Sequence, residues 1–496
     1  MNFGRNILLA YVMASLASPL LHAADPAAAI EDNGLYDLYT QNEVPAPVTL
    51  MPRAGVPDED VYQYRAAAPQ ETVTEEGATR YLETDFLLKR GINTYGWIDI
   101  GIGANDWGAD WNGPVTFNDR AWQGQMNQLY LVNERILNDD SFSWGGRIDL
   151  LYGTDFLYTV AAGLDAYRTY PDPIGLSGPR WASSRYYGLA MPQLYGEFGS
   201  QELNVKFGHF YTLIGYEVVP AIGNFFYTHA YTMQYGEPFT HTGVLGTWVP
   251  NDQLTIIGGI TNGSDNWDNG LETGRTIANQ NYANYNSNAS FLGAITFSSS
   301  DGTQALTLAN SSGNELAAES FVNPNTAYVG NRTVTSLVYS NEFTNKLTYV
   351  YQSDFGYQAY AGGDSPIYYE TQGQQPGSAY WYGVNQYVFY NFTDYLIGGL
   401  RLEWFRDNNG TKVQYGLRSG SPELGNFAGN FWAMTWGLNY LVGNNLIIRP
   451  ELRYDWFSQD VGNAAQGVGL PFGRLAGGLG TQSDQFYGGC DVIWQF

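Results

Sequence analysis

Beyond residue 91 the chain reads as sixteen strand-length stretches of alternating hydrophobicity, and the segments between them are short and long by strict turns. The stretches fall at 92–103, 126–135, 143–153, 192–198, 202–209, 239–249, 253–262, 291–298, 303–311, 332–340, 345–354, 380–390, 395–406, 431–441, 446–456 and 486–496. Seven short connections (136–142, 199–201, 250–252, 299–302, 341–344, 391–394 and 442–445) alternate with eight long ones. The long ones are 106–125, 154–191, 210–238, 263–290, 312–331, 355–379, 407–430 and 457–485. An even-stranded antiparallel barrel in an outer membrane needs this pattern, with tight turns on the periplasmic side and long loops outside. A soluble sandwich has no reason to keep its turns short at one end. The expected fold is all-β, a transmembrane antiparallel barrel of about 16 strands, within a range of 14 to 18.

The faces of individual strands agree. In 446–456, Leu446, Ile448, Pro450, Leu452, Tyr454 and Trp456 share one face, and Arg449, Glu451, Arg453 and Asp455 share the other. Four charges in a dry core would cost several kcal/mol each unless paired, so the charged row is expected to face a water-filled lumen. Pro450 cannot donate to a ladder, which suggests a bulge or a shifted register there. In 486–496, Phe486, Gly488, Cys490, Val492, Trp494 and Phe496 form an apolar row opposite Tyr487, Gly489, Asp491 and Gln495. Trp494 and Phe496 are similar to the end signal that bacterial barrel-assembly machinery reads, and this strand is expected to close the barrel on 92–103. Aromatics at 16% and 59 glycines suit interfacial girdles and strand bends.

Arg5 and the apolar run 7–21 read as a signal peptide over 1–23, which points to export. Residues 24–90 are rich in Pro and acids and read as a flexible periplasmic extension, with a short helix at 79–90 and a lumen plug as the lesser alternative. The barrel takes 91–496. A net charge of −25 disfavours nucleic acid and favours cations over anions at long range. The single cysteine, Cys490, excludes an intrachain disulfide framework. His209, His229 and His241 show no HExxH or GxSxG spacing, so no enzyme is expected, and no cofactor or metal. The acid runs at 106–110 and 265–270 read as solvated loop acids, the second departing from the calcium-loop pattern at Trp267.

A sixteen-stranded lumen is too wide for wall side chains to fill, so something must narrow it. The third long loop, 210–238, is unusually apolar and aromatic for a solvent loop, and it carries Glu217 and Glu237 with no Lys or Arg. Folded inward, it would set these acids against wall bases drawn from Arg147, Lys206, Arg401, Arg449 and Arg453, and a transverse field would orient dipolar solutes. The alternative is that Asp149, Glu403, Glu451 and Asp455 neutralise those bases locally.

The runs YGLAMPQLYGEF and VKFGHFYTLIGYEVVPAIGNFFYTHAYTMQYGEPFTHTGVLGTW, between Tyr187 and Val249, together with WGGRIDLLYGTD upstream, resemble the beta-barrel porin-2 family, which is OmpL-like. The resemblance runs over 91–496 and implies an outer-membrane channel of poorly defined substrate. The expected activity is passive diffusion of small hydrophilic solutes with a weak cation preference. A structural or adhesive barrel with glycan- or matrix-binding loops is the alternative. Expected partners are outer-membrane lipid, the assembly machinery, the solutes and, by analogy with general porins of this size, two further copies in a homotrimer.

Overall fold

The computed structural model describes residues 82, 84–139, 141–165, 180–267, 289–319, 327–362, 377–413, 427–459, 469–474 and 480–496. The expected signal peptide and nearly all of the expected extension lie outside the described residues. Of the helix expected at 79–90, one turn is described, Asp85–Leu88.

Sixteen antiparallel strands close on themselves. They are β1 (Asn93–Asn105), β2 (Gln125–Arg135), β3 (Ser143–Gly153), β4 (Gly188–Gly199), β5 (Leu203–Tyr211), β6 (Thr240–Asn251), β7 (Leu254–Ser264) and β8 (Ser290–Ser298). The circuit continues with β9 (Gln304–Glu319), β10 (Ala327–Thr344), β11 (Leu347–Gly362), β12 (Gly377–Thr393), β13 (Leu396–Asp407), β14 (Gly429–Val442), β15 (Leu446–Gln459) and β16 (Asp484–Gln495). Each expected stretch overlaps one strand in order. β16 pairs with β1, from Trp97 opposite Gln495 to Asn105 opposite Tyr487. Phe496 and Gly96 then exchange backbone bonds of 2.8 and 2.9 Å, which extends the seam by one pair.

Alternation sorts the faces as period two requires. On β16, Phe486, Val492 and Trp494 are exposed outward, while Tyr487, Asp491 and Ile493 are buried within. Leu452 is exposed, and its neighbours Arg453 and Glu451 are buried. An exposed apolar outer surface of this kind is what hydrocarbon accepts.

Two expectations need correction. β9 to β12 run well past the stretches read from hydrophobicity, so strand occupies much of the spans expected as loops at 312–331 and 355–379, with β9 reaching Glu319, β10 starting at Ala327, β11 reaching Gly362 and β12 starting at Gly377. Around those ends outward polar residues of β9 and β10 pair across the ladder: Asn310 Nδ2 donates to Thr335 Oγ1 at 2.8 Å, and Ser312 and Thr333 hydroxyls meet at 2.7 Å. Apolar alternation reports contact with lipid, but ladder pairing continues without it. The second concerns Pro450, which sits in β15 without a bulge. Pairing to β16 is continuous through Pro450 opposite Cys490. Pairing to β14 lapses between Gly437–Glu451 and Tyr440–Ile448 and resumes in the same register. The missing N–H is thus accommodated by a local break in one ladder.

Candidate functional site

The charged row of β15 faces inward, but it is covered rather than open to water, which overturns the expectation drawn from its alternation. Arg401 and Glu403 on β13 join Arg449, Glu451, Arg453 and Asp455 on β15 and Asp491 on β16, all of them 4% exposed or less. Arg401 Nε donates to Glu403 at 2.7 Å, Arg453 Nη1 lies 3.2 Å from Glu403, and Arg453 Nε donates to Asp455 at 2.8 Å. Arg449 is paired with Asp491. These pairs offset much of the desolvation cost, and good geometry requires that the remaining donors and acceptors also be met.

Most of them are met by the third loop, residues 212–239, chiefly by its backbone. Arg401 Nη1 donates to Thr228 O at 2.6 Å, Arg449 Nη1 to Ala221 O and Asn224 O at 2.9 and 2.6 Å, and Arg453 Nη1 to His229 O at 2.9 Å. Glu451 accepts from Tyr227 N at 3.0 Å and Thr228 N at 3.1 Å. Glu403 accepts from Tyr231 N at 2.8 Å, and Asp455 from the Tyr231 hydroxyl at 2.9 Å. Loops normally stay at the surface because their backbone polar groups need partners. Here the charges of the wall supply them, so the loop can lie inside the barrel.

The loop departs from β5 and returns to β6, yet its contacts lie across the lumen on β11 to β15 and beside them on β2. Gln128 on β2 donates to Val219 O at 2.7 Å and accepts from Ala221 N at 2.9 Å. Trp381 Nε1 on β12 donates to Gly236 O at 2.9 Å. Phe225 and Phe226 pack on a glycine floor, where a Cβ added at Gly437 would lie 2.9 Å from the Phe226 ring. Leu213 and Ile214 join a buried cluster with Leu292, Ala294 and Val334.

Glu217 is held by four groups. Arg401 Nη1 and the Tyr387 hydroxyl donate to Oε1 at 2.9 and 3.0 Å, while Ala230 N donates to Oε2 at 2.9 Å and His229 Nδ1 lies 3.1 Å from it. Burial pushes its carboxyl up, but Arg401 and His229 outweigh that and hold it at about 2. Glu237 accepts from Gln352 Nε2 on β11 at 2.7 Å. Arg147 and Lys206 lie apart from this assembly, on the wall formed by β3 to β5. Arg147 contacts Asp149 at 2.7 Å and Glu134 at 3.1 Å. Lys206 stands 4.1 Å from the Tyr195 ring centroid and pairs across the ladder with Glu197. The fold therefore brings Glu217 into contact with Arg401 and beside Arg449 and Arg453, and places Glu237, Arg147 and Lys206 elsewhere around the lumen. Trp494 points outward, and its ring lies 5.3 Å from that of Phe496.

A family model described as "Putative beta-barrel porin-2, OmpL-like" matches residues 91–496. The chain belongs to this porin family. Its place is the outer membrane, and the family makes it a channel protein rather than an enzyme. No curated protein sequence matches the porin. Among solved structures it is similar to OprB of Pseudomonas putida, with 11% identity and a TM-score of 0.49 over 85% of this chain and 99% of that one. It is also similar to OmpT, an outer membrane protein of Vibrio cholerae, with 8% identity and a TM-score of 0.48 over 82% and 99%. The outer membrane channel DcaP of Acinetobacter baumannii shows 12% identity and a TM-score of 0.45 over 82% and 97%.

Sequence reasoning missed a second element inside the porin. The first loop, 106–124, turns inward and meets the third: Thr116 N and Oγ1 both lie 2.7 Å from Gln234 Oε1, and the Tyr235 hydroxyl donates to Pro114 O at 2.5 Å. Phe117 packs against Tyr158 and His229 with ring centroids 4.6 and 4.3 Å away. Its apolar residues Val115 and Phe117, between Asn112 and Asn118, form too short a run to stand out as the third loop does. The histidines serve packing. His241 bridges Gly263 O and Thr212 Oγ1 at 3.1 and 3.0 Å, and His209 contacts Thr242 Oγ1 at 2.7 Å with its ring on Trp267.

Proposed function

We propose that this porin is a passive channel for small hydrophilic solutes with a weak cation preference, narrowed by its third loop together with the first. The supporting observation is the anchoring of the third loop across the lumen by the charged wall of β13 to β15. That anchoring reduces a bore that sixteen strands would otherwise leave wide. The cation preference rests on a surplus of acids inside the barrel. Glu217, Glu403, Glu451, Asp455 and Asp491 are buried with Arg401, Arg449 and Arg453, and Glu237 and Asp354 are buried against Gln352 on β11. Because each base already touches an acid, the preference derives from this surplus rather than from a field between two facing rows. Bilayer recordings test the reading. Steady current with a cation-selective reversal potential is expected. A barrel that gives no steady current would favour the structural or adhesive role, which the dense packing of buried clusters inside the lumen also suits.

A further inference from the structure

Two cations nearer the long-loop ends of the strands are held differently from those beneath. Arg401, Arg449 and Arg453 are each committed to acids and loop carbonyls at 2.6–3.0 Å. Arg332 on β10 contacts Glu315 at 3.4 Å, and its Nε is buried without a hydrogen-bond partner among the described residues. Lys412, in the loop between β13 and β14, reaches the Gln358 carboxamide at 3.3 Å and stands 3.9 Å from the Trp381 ring centroid. Both cations hold spare donors.

The fold gathers them in one place. Arg332 lies directly opposite Gln358 in the β10–β11 ladder, and the Lys412 ammonium reaches that carboxamide, close enough to Arg332 to feel its charge. The Asp407 carboxylate accepts the backbone N–H groups of Asn409, Thr411, Lys412 and Val413 at 3.3, 3.1, 2.6 and 2.9 Å, which fixes the turn carrying Lys412. The charged groups acting on the ammonium are Arg332, Asp407, Glu315 and Asp265. These acids have structural duties. Glu315 Oε1 accepts from Ser264 N and Oγ at 3.0 and 2.9 Å, and Asp265 accepts from Phe239 N and Thr240 N at 2.9 and 3.0 Å. A guanidinium and a neighbouring ammonium with unused donors, beside a carboxamide, complement an oxyanion, and the planar fork suits a carboxylate.

We propose that Arg332, Lys412 and Gln358 form a subsite that binds the carboxylate of a small anionic or zwitterionic solute toward the long-loop end of the lumen. The proposal rests on the channel reading above. It gives a chain of net charge −25 a local means of admitting carboxylated solutes that its overall field disfavours. Burial, with Arg332 second, lowers the Lys412 ammonium to about 7, so a bound carboxylate stabilises its charged form and affinity falls as pH rises through neutrality.

The test uses the full-length porin in planar bilayers at constant ionic strength, with glutarate as probe and neutral glutaramide as control. Glutarate is expected to lower conductance saturably at pH 6, and glutaramide to leave it unchanged. Loss of one charge-assisted contact in Arg332→Gln or Lys412→Gln should raise the half-saturating concentration about tenfold or more. Lys412→Arg should keep the response and remove its weakening between pH 6 and 8. Equal responses to the two probes, or wild-type half-saturation in the double Gln variant, would overturn the subsite. A barrel without current contradicts the channel reading instead, and equilibrium dialysis of labelled glutarate against wild type and the double variant then decides the subsite by the same criterion.

Discussion

Glu217 illustrates how much a single residue can reveal before its surroundings are known. Its place on an apolar loop marked it for the lumen, and alternation marked Arg401 as facing it. Their contact at 2.9 Å and the enclosure by His229, Tyr387 and Ala230 depend on how the loop folds back, which no local pattern encodes. A carboxyl held at about 2 contributes stability above its ordinary range, about 3 kcal/mol, and that contribution is lost as pH falls through 2. The anchor should therefore survive mild acid, with protease resistance of the third loop equal at pH 7 and about pH 5.5 and declining below about pH 4. Arg401→Met leaves Glu217 and Glu403 buried with fewer partners, at a cost of about 3–5 kcal/mol. Limited proteolysis should then cut the loop at least tenfold faster than in wild type. Arg332 and Lys412 were invisible as neighbours because they come near each other only where the loop after β13 folds back on Asp407.

At the scale of elements, the strands were legible because lipid on one side and a filled lumen on the other impose period two on every one of them. The ends of β9 and β10 were not, because toward the long-loop side outward residues such as Asn310, Ser312 and Thr333 are polar while the ladder continues. The first loop escaped notice for a related reason: two apolar residues, Val115 and Phe117, are too short a run to signal burial, although both are 1% exposed or less. The third loop needs its glycine floor. Gly437→Leu would drive a side chain into Phe226, and the expected result is a displaced loop and a larger, noisier single-channel conductance. The β1–β16 seam makes a separate prediction. Removing Phe496 deletes its two bonds to Gly96 and the ring packed on Trp494, so heat-modifiable barrel should fall several-fold in membrane extracts before permeability changes. Normal insertion would show that the seam closes without it.

At the scale of the whole molecule, the chain combines an apolar exterior, a closed ladder and an interior in which charge holds a loop in place. The exterior and the ladder could be read from hydrophobic alternation and connection lengths. The interior differed in one respect with functional weight. Arg401, Arg449 and Arg453 are engaged by acids of their own wall and by loop carbonyls, so the proposed selectivity comes from the acids left over. The central claim is therefore tested most directly by the reversal potential of the reconstituted porin across a tenfold salt gradient, for wild type and for the double variant Glu217→Gln, Glu237→Gln. The account predicts steady current in both, a cation-selective potential in wild type, and a shift toward anion selectivity in the variant. An unchanged reversal potential in a conducting variant would contradict it.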